Sequence, residues 1–212
     1  MKKLVFITLS FIFSVSLSWG APVQRSAGTS KAKRSTRSAP KEESYWQMGL
    51  NALIWQEGIE ARRGVDTENL LVQSLGFGFD MTYRKPSSSI RWWQSHTLSL
   101  GVGSIHTTGT TTAIPDTLRQ QQFYTATLSP GFIYRTTSVS DIGLSVPLTY
   151  RVINWVTNDD TLTLARRNSF SYGLSALYVN RLTRTSDLQV AFTDQMSWKA
   201  FVWSVGWNHA FR

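Results

Sequence analysis

The chain has 212 residues, no cysteine, nine tryptophans, only 17% charged residues and a formal charge of +9. Without cysteine, an exported domain cannot rely on disulfides and needs a core, a partner or a bilayer. The basic excess is local: residues 21–43 carry +4 and everything after them only +3, so a nucleic-acid-binding domain is not indicated.

Lys2 and Lys3 precede an apolar run over 4–17, followed by Ser18, Trp19 and Gly20. This is the pattern of a secretory signal peptide, expected to occupy 1–20 with cleavage after Gly20. The run is shorter than the ~20 residues a spanning helix needs. Residues 21–43 are rich in Ser, Ala, Thr, Lys, Arg and Pro, and Val23 is their only large apolar side chain. Such a segment cannot bury enough surface to fold and is expected to be a disordered basic periplasmic tail. Its six cations (Arg25, Lys31, Lys33, Arg34, Arg37, Lys41) make contact with cell-wall material or another anionic polymer the functional alternative to a plain tether.

From residue 44 onward, apolar and small polar residues alternate in segments bounded by turn residues, the period of a two-faced strand. The first, 44–55, sets Trp46, Met48, Leu50, Ala52 and Ile54 against Gln47, Gly49 and Asn51. The second alternates Leu75, Phe77, Phe79, Met81 and Tyr83 with Ser74, Gly76, Gly78, Asp80 and Thr82. A third carries Leu98, Leu100 and Val102, a fourth Tyr124 to Tyr134, a fifth Ile142 to Tyr150 and a sixth Phe170 to Tyr178. The seventh is short, with Leu188, Val190 and Phe192 on its apolar face. The eighth, 201–211, places Phe201, Trp203, Val205, Trp207, His209 and Phe211 on one face, with an uncharged face of Val202, Ser204, Gly206, Asn208 and Ala210 opposite.

A soluble sandwich would cover its second face with charge. Aromatic outside and small polar inside is the pattern of a membrane barrel. Connections after the odd strands are expected to be long (56–70, 104–121, 154–167) and those after the even strands short (84–89, 135–140, 181–186), as outside loops and periplasmic turns should alternate. The short turns repeat an aromatic followed by a cation: Tyr83 with Arg84 and Lys85, Tyr134 with Arg135, Tyr178 with Arg181. Such pairs suit interfacial anchoring, tyrosine at the interface and cation at the head groups. Pro130 and Pro147 fall inside strands, and each predicts a bulge or kink.

Asp80, Asp141 and Arg151 are the main charges expected inside the barrel. Charges in a narrow interior must pair or stay wet. A hydrogen-bonded plug around an Arg151 pair is one expectation, because eight-stranded interiors are about filled by side chains. A narrow hydrated path or ligand cavity is the other, favoured by glycines such as Gly76, Gly78, Gly101 and Gly103, which leave volume free. No metal-ligand spacing, phosphate loop or nucleophile elbow is present, and no cofactor is expected. His106, near Ser104 and Asp116, is the one candidate for hydrolytic chemistry; His96 and His209 lie on lipid-facing registers.

The last strand resembles the C-terminal targeting strand of bacterial outer-membrane barrels, with Phe201, Trp203, Val205, Trp207 and Phe211 as its assembly signal, although Arg212 follows the final aromatic. The region 44–212 is similar to the small barrels of the OmpA, OmpX and opacity type. That resemblance implies an all-β, eight-stranded antiparallel up-and-down transmembrane β-barrel in the outer membrane of a Gram-negative bacterium. Outer-membrane lipid, lipopolysaccharide and the barrel-assembly machinery are the implied partners. A non-enzymatic structural or surface-interaction role through the extracellular loops is the leading expectation. A small pore or hydrophobic-ligand carrier and a lipid A-modifying enzyme are the alternatives.

Overall fold

The computed structural model describes residues 43–87, 91–108, 120–154, 162–164 and 168–211. The signal peptide and all but the last residue of the basic tail lie outside the described residues. Ten β-segments follow in order: β1 (Tyr45–Arg63), β2 (Asp66–Pro86), β3 (Trp92–Thr108), β4 (Gln120–Arg135), β5 (Ser140–Ser145), β6 (Leu148–Asn154), β7 (Leu162–Leu164), β8 (Asn168–Arg181), β9 (Ser186–Gln195) and β10 (Ala200–Phe211). Each pairs antiparallel with its neighbour, β5 and β6 together forming one stave between β4 and β8. β10 returns to β1 from Trp46↔Phe211 to Gln56↔Phe201, which closes an eight-stave barrel and removes both sheet edges there. The short β7 adds to the far end of β1, against Ala61 to Arg63.

Alternation sets the two faces of the wall. Leu50, Phe77, Leu100, Phe132, Leu144 and Phe170 point outward and are exposed, while Asn51, Gly78, Asp80, Thr125 and Ser171 point inward and are buried. An outward belt this apolar is far larger than the patches soluble monomers tolerate, and it is the surface a bilayer solvates. Aromatic pairs rim it at the end holding both termini: Trp46 with Tyr83 and Trp92 with Tyr134, each with ring centroids 4.9 Å apart.

The sequence expectation of a long loop over 56–70 is corrected. β1 and β2 run on as a hairpin of 19 and 21 residues, to Arg63↔Asp66. A membrane crossing uses only ~9–11 residues, so this hairpin extends well past one. Its turn is Gly64-Val65, and Gly64 has φ 61°. A positive φ at the first of two central residues is the II′ pattern, which matches strand twist and is free of steric cost only for glycine. The extension also inverts its polarity. Ile59 and Ala61 continue the inward register and are buried, while Glu60 and Arg62 face out and pair with each other at 2.5 Å. The alternation is unbroken, but its apolar face has changed sides, which hides the strand from a search for apolar-outward periodicity.

The bulges expected at the prolines are absent. Leu144 pairs with Phe132 before Pro147 and Leu148 with Leu128 after it, four residues on in both strands, so no residue is inserted. Pro147 interrupts only the hydrogen bonding that separates β5 from β6. Its carbonyl still accepts from Gly173 N at 3.0 Å, and Pro130 O accepts from Val146 N at 2.9 Å.

Candidate functional site: the barrel interior

At the end that holds the termini, the interior is built on arginines. Arg84 Nη1 reaches Asp187 Oδ2 at 3.3 Å, Gln47 Nε2 donates to the same oxygen at 2.6 Å, and Asn208 Nδ2 donates to Asp187 Oδ1 at 3.1 Å. Arg181 Nη2 reaches both oxygens of Asp141, at 2.8 and 2.6 Å. The Arg135 guanidinium lies 5.2 Å from the Trp93 ring centroid, and Trp93, Ile133 and Val179 form a buried apolar cluster with Tyr45 against it. This overturns the interfacial-anchor reading of Arg84, Arg135 and Arg181. A strand residue directly after an outward tyrosine must point inward, as does one three positions on. Only Lys85, two after Tyr83, returns to the outer face.

The middle of the barrel is polar. Thr82 and Thr97 share a hydrogen bond of 2.9 Å, Thr127 and Thr149 one of 3.1 Å, and Gln195 Nε2 donates to Thr149 at 3.0 Å. Asp80 accepts from Asn51 Nδ2 at 2.6 Å and from Ser99 Oγ at 2.5 Å. All of these side chains except Thr82 line a cavity of about 90 Å³, sized for several waters.

Toward the long-loop end Arg151 pairs with Glu57 at 2.5 Å, both side chains 1% exposed. The Arg151 guanidinium lies 4.6 Å from the Trp55 ring centroid and 4.3 Å from that of Trp198, held between two aromatic faces. Water is excluded there, so each cation–π contact is worth about 2 kcal/mol. Trp198 arrives from the short connection between β9 and β10, where Lys199 adopts φ 51°. Beyond the ion pair along β1 and β6, Ile59, Ala61, Val72, Ile105, Phe123 and Ile153 form a closed apolar cluster.

Of the three charges expected inside, Arg151 and Asp80 face the interior of the wall and Asp141 lies at the termini-bearing end; the three are not one cluster. Sequence reasoning missed Glu57, Arg84, Asp187 and Trp198. Strand parity from Tyr83 would have found Arg84, and the seventh strand's own alternation places Asp187 inward with Gln189.

The glycines expected to leave volume, Gly76, Gly78, Gly101 and Gly103, do not leave it open. A Cβ on Gly103 would strike the Phe123 ring and the backbone of Leu75 and Gly76, and one on Gly49 would overlap Asn208. Large neighbours have already taken the space. Gly103→Ala is therefore expected to overpack the wall and destabilise the barrel by about 1–3 kcal/mol, measured as a lower midpoint of heat-induced gel shift; an unchanged midpoint would indicate free volume there.

The other sequence candidates are placed as follows. Ser104 Oγ and His106 Nε2 lie 3.3 Å apart on the exposed outer face, and Asp116 lies outside the described residues. His96 is exposed on the outer face, and His209 bonds through Nδ1 to Ser186 Oγ at 3.1 Å. Phe201, Trp203, Val205, Trp207 and Phe211 all face outward on β10; Phe192 of β9 packs on Trp203 at 4.5 Å and on Phe201 at 5.7 Å. Arg212 lies outside the described residues.

A closed antiparallel barrel of eight staves, apolar outside and polar within, defines the class: a small β-barrel of the outer-membrane type. Its fold is similar to that of Ail, the attachment invasion locus protein of Yersinia pestis, solved in complex with the heparin analogue sucrose octasulfate. The TM-score is 0.51 and the identity 10%, over 80% of this chain and 100% of that one. Neisserial surface protein A aligns at TM-score 0.46 and 12% identity, over 80% and 100% of the two chains. The outer-membrane protein OprG of Pseudomonas aeruginosa gives 0.48 and 10%, over 80% and 96%. No protein-family model and no curated protein matches the sequence.

Proposed function

We propose that the chain is a non-enzymatic integral protein of the bacterial outer membrane, with both termini periplasmic, that acts as a rigid membrane-spanning scaffold and presents its long-loop end to partners. The plugged interior carries this reading. A buried apolar cluster sits toward each end of the barrel, and ion pairs with arginine accompany both, so a route for solutes through the lumen is blocked at two levels. What such a barrel can offer is its outer wall and its ends. The β1–β2 hairpin, longer than the bilayer requires, supplies part of that surface.

Residues 21–43, with a net +4, are suited to hold anionic polymer on the periplasmic side. Lipopolysaccharide around the belt and the barrel-assembly machinery, reading the outward aromatics of β10, complete the proposed partners. The test combines two measurements on the same preparation. Unboiled protein from isolated outer membranes should migrate differently from boiled protein, and planar bilayers should show no discrete conductance steps. Recovery in the soluble periplasmic fraction would overturn the location; regular steps would replace the scaffold with a pore.

The β10 signal has its own test. Phe211→Ser should lower the heat-shifted, folded fraction in outer membranes severalfold, while deletion of Arg212 leaves most of it. Equal losses from the two changes would remove the aromatic from that role.

A further inference from the structure

Four carboxylates are buried among the described residues: Glu57, Asp80, Asp141 and Asp187. Three of them face an arginine: Glu57 has Arg151, Asp141 has Arg181 and Asp187 has Arg84. Asp80, 7% exposed, has none. Its neighbours are the Asn51 amide and the Ser99 hydroxyl, and both donate to the same oxygen, Oδ1. Oδ2 accepts nothing from the protein, yet it is not among the side-chain atoms sealed away without a partner. Since Asp80 lines the central cavity, that oxygen opens onto it.

Two donors on one oxygen favour the ionised carboxylate, while burial opposes it unless the charge is answered within the low-dielectric interior. The cavity offers that answer. Ser99 lies against Asp80, and Thr97, Thr125, Thr127 and Thr149 put further hydroxyls on the cavity wall between apolar side chains such as Leu53 and Leu177, with no soft donor among them. Hydroxyl and carboxylate oxygens suit hard cations. A divalent ion of this kind collects several carboxylates, whereas here one formal charge is present. We propose that the central cavity is a binding site for one small monovalent cation, with Asp80 as its charged ligand and the surrounding hydroxyls completing its shell.

The experiment follows the heat-induced unfolding of the full barrel in a neutral detergent while sodium chloride replaces choline chloride at constant ionic strength. Choline carries the same charge but no compact surface for oxygens to coordinate. The midpoint should rise with the logarithm of sodium concentration above the dissociation constant, by about 5–10 °C at a concentration a hundredfold above it. Asp80→Asn should abolish the dependence, and Asp66→Asn, at the exposed hairpin turn, should leave it intact. A wild-type midpoint equal in both salts would overturn the proposal and assign the neutralisation to a proton. A response in Asp80→Asn matching the wild type, or its loss in Asp66→Asn, would overturn it in favour of surface ion effects. Should Asp80→Asn fail to fold, sodium-23 relaxation of the wild type decides: excess broadening relieved by potassium supports the site, and its absence refutes it.

Discussion

Glu57→Ala should be the most damaging single change in the barrel. It leaves the Arg151 guanidinium buried without its 2.5 Å counter-charge. Removing one partner of a buried ion pair costs about 3–5 kcal/mol, because the remaining charge keeps its desolvation penalty. The stacking between Trp55 and Trp198 offsets part of this but supplies no anion. The folded fraction should fall sharply on semi-native gels, with the unfolding midpoint in urea shifted down and its slope unchanged. The double change Glu57→Met with Arg151→Met provides the contrast. It removes both charges while keeping side-chain volume, and should recover most of the lost stability. If Glu57→Ala is as stable as the wild type, the pair is hydrated and the long-loop end of the lumen is open, which would also undermine the scaffold reading.

Which parts of this architecture were legible beforehand follows from the physics of the strand. Where lipid lies outside and water or hydroxyls inside, every second residue must be apolar. The pattern Leu75, Phe77, Phe79, Met81, Tyr83 therefore fixed face and register together, and its partner Leu98, Leu100, Val102 pairs with it as Met81↔Leu98, Phe79↔Leu100 and Phe77↔Val102. The pattern loses its meaning where the surroundings change. Past Trp55 the outer face carries Glu60 and Arg62 and the inner face Ile59 and Ala61, so the same period reads as a loop if apolar is taken to mean outward. Glu57 was hidden for that reason, and with it the partner of Arg151. The arginines beside the turns failed differently. By composition Tyr83-Arg84 is a tyrosine and a cation suited to an interface, but its parity requires Arg84 to turn inward. Trp198 could not be placed from sequence at all: it lies in a connection, outside any alternation, and its position is set by the tertiary contact with Arg151.

Leu100→Arg tests the outer face itself. Leu100 is 53% exposed and lies mid-strand on β3, flanked on the outer face by Phe79 of β2 and Ala126 of β4. An arginine there meets acyl chains, at about 2–4 kcal/mol near the midplane. The neighbouring Ser99→Asn change points to the other side, where it meets Asp80 and can still donate a hydrogen bond to it. It should be tolerated far better than Leu100→Asn, which puts an amide into hydrocarbon. A soluble barrel would also penalise some of these changes, so stability is paired with a direct reading of the surroundings. The chain has no cysteine, so single cysteines at Leu100, Phe77 and Ser99 report without background. Phe77 is 70% exposed on the same face as Leu100. A maleimide restricted to the bilayer should label the Leu100 and Phe77 sites and spare the Ser99 site. Labelling by a membrane-impermeant aqueous maleimide should show none of the three in intact vesicles. Aqueous labelling of Leu100→Cys and Phe77→Cys, with no reaction from the lipid side, would mean that the apolar belt is covered by protein or water and that the barrel does not span the membrane through this face.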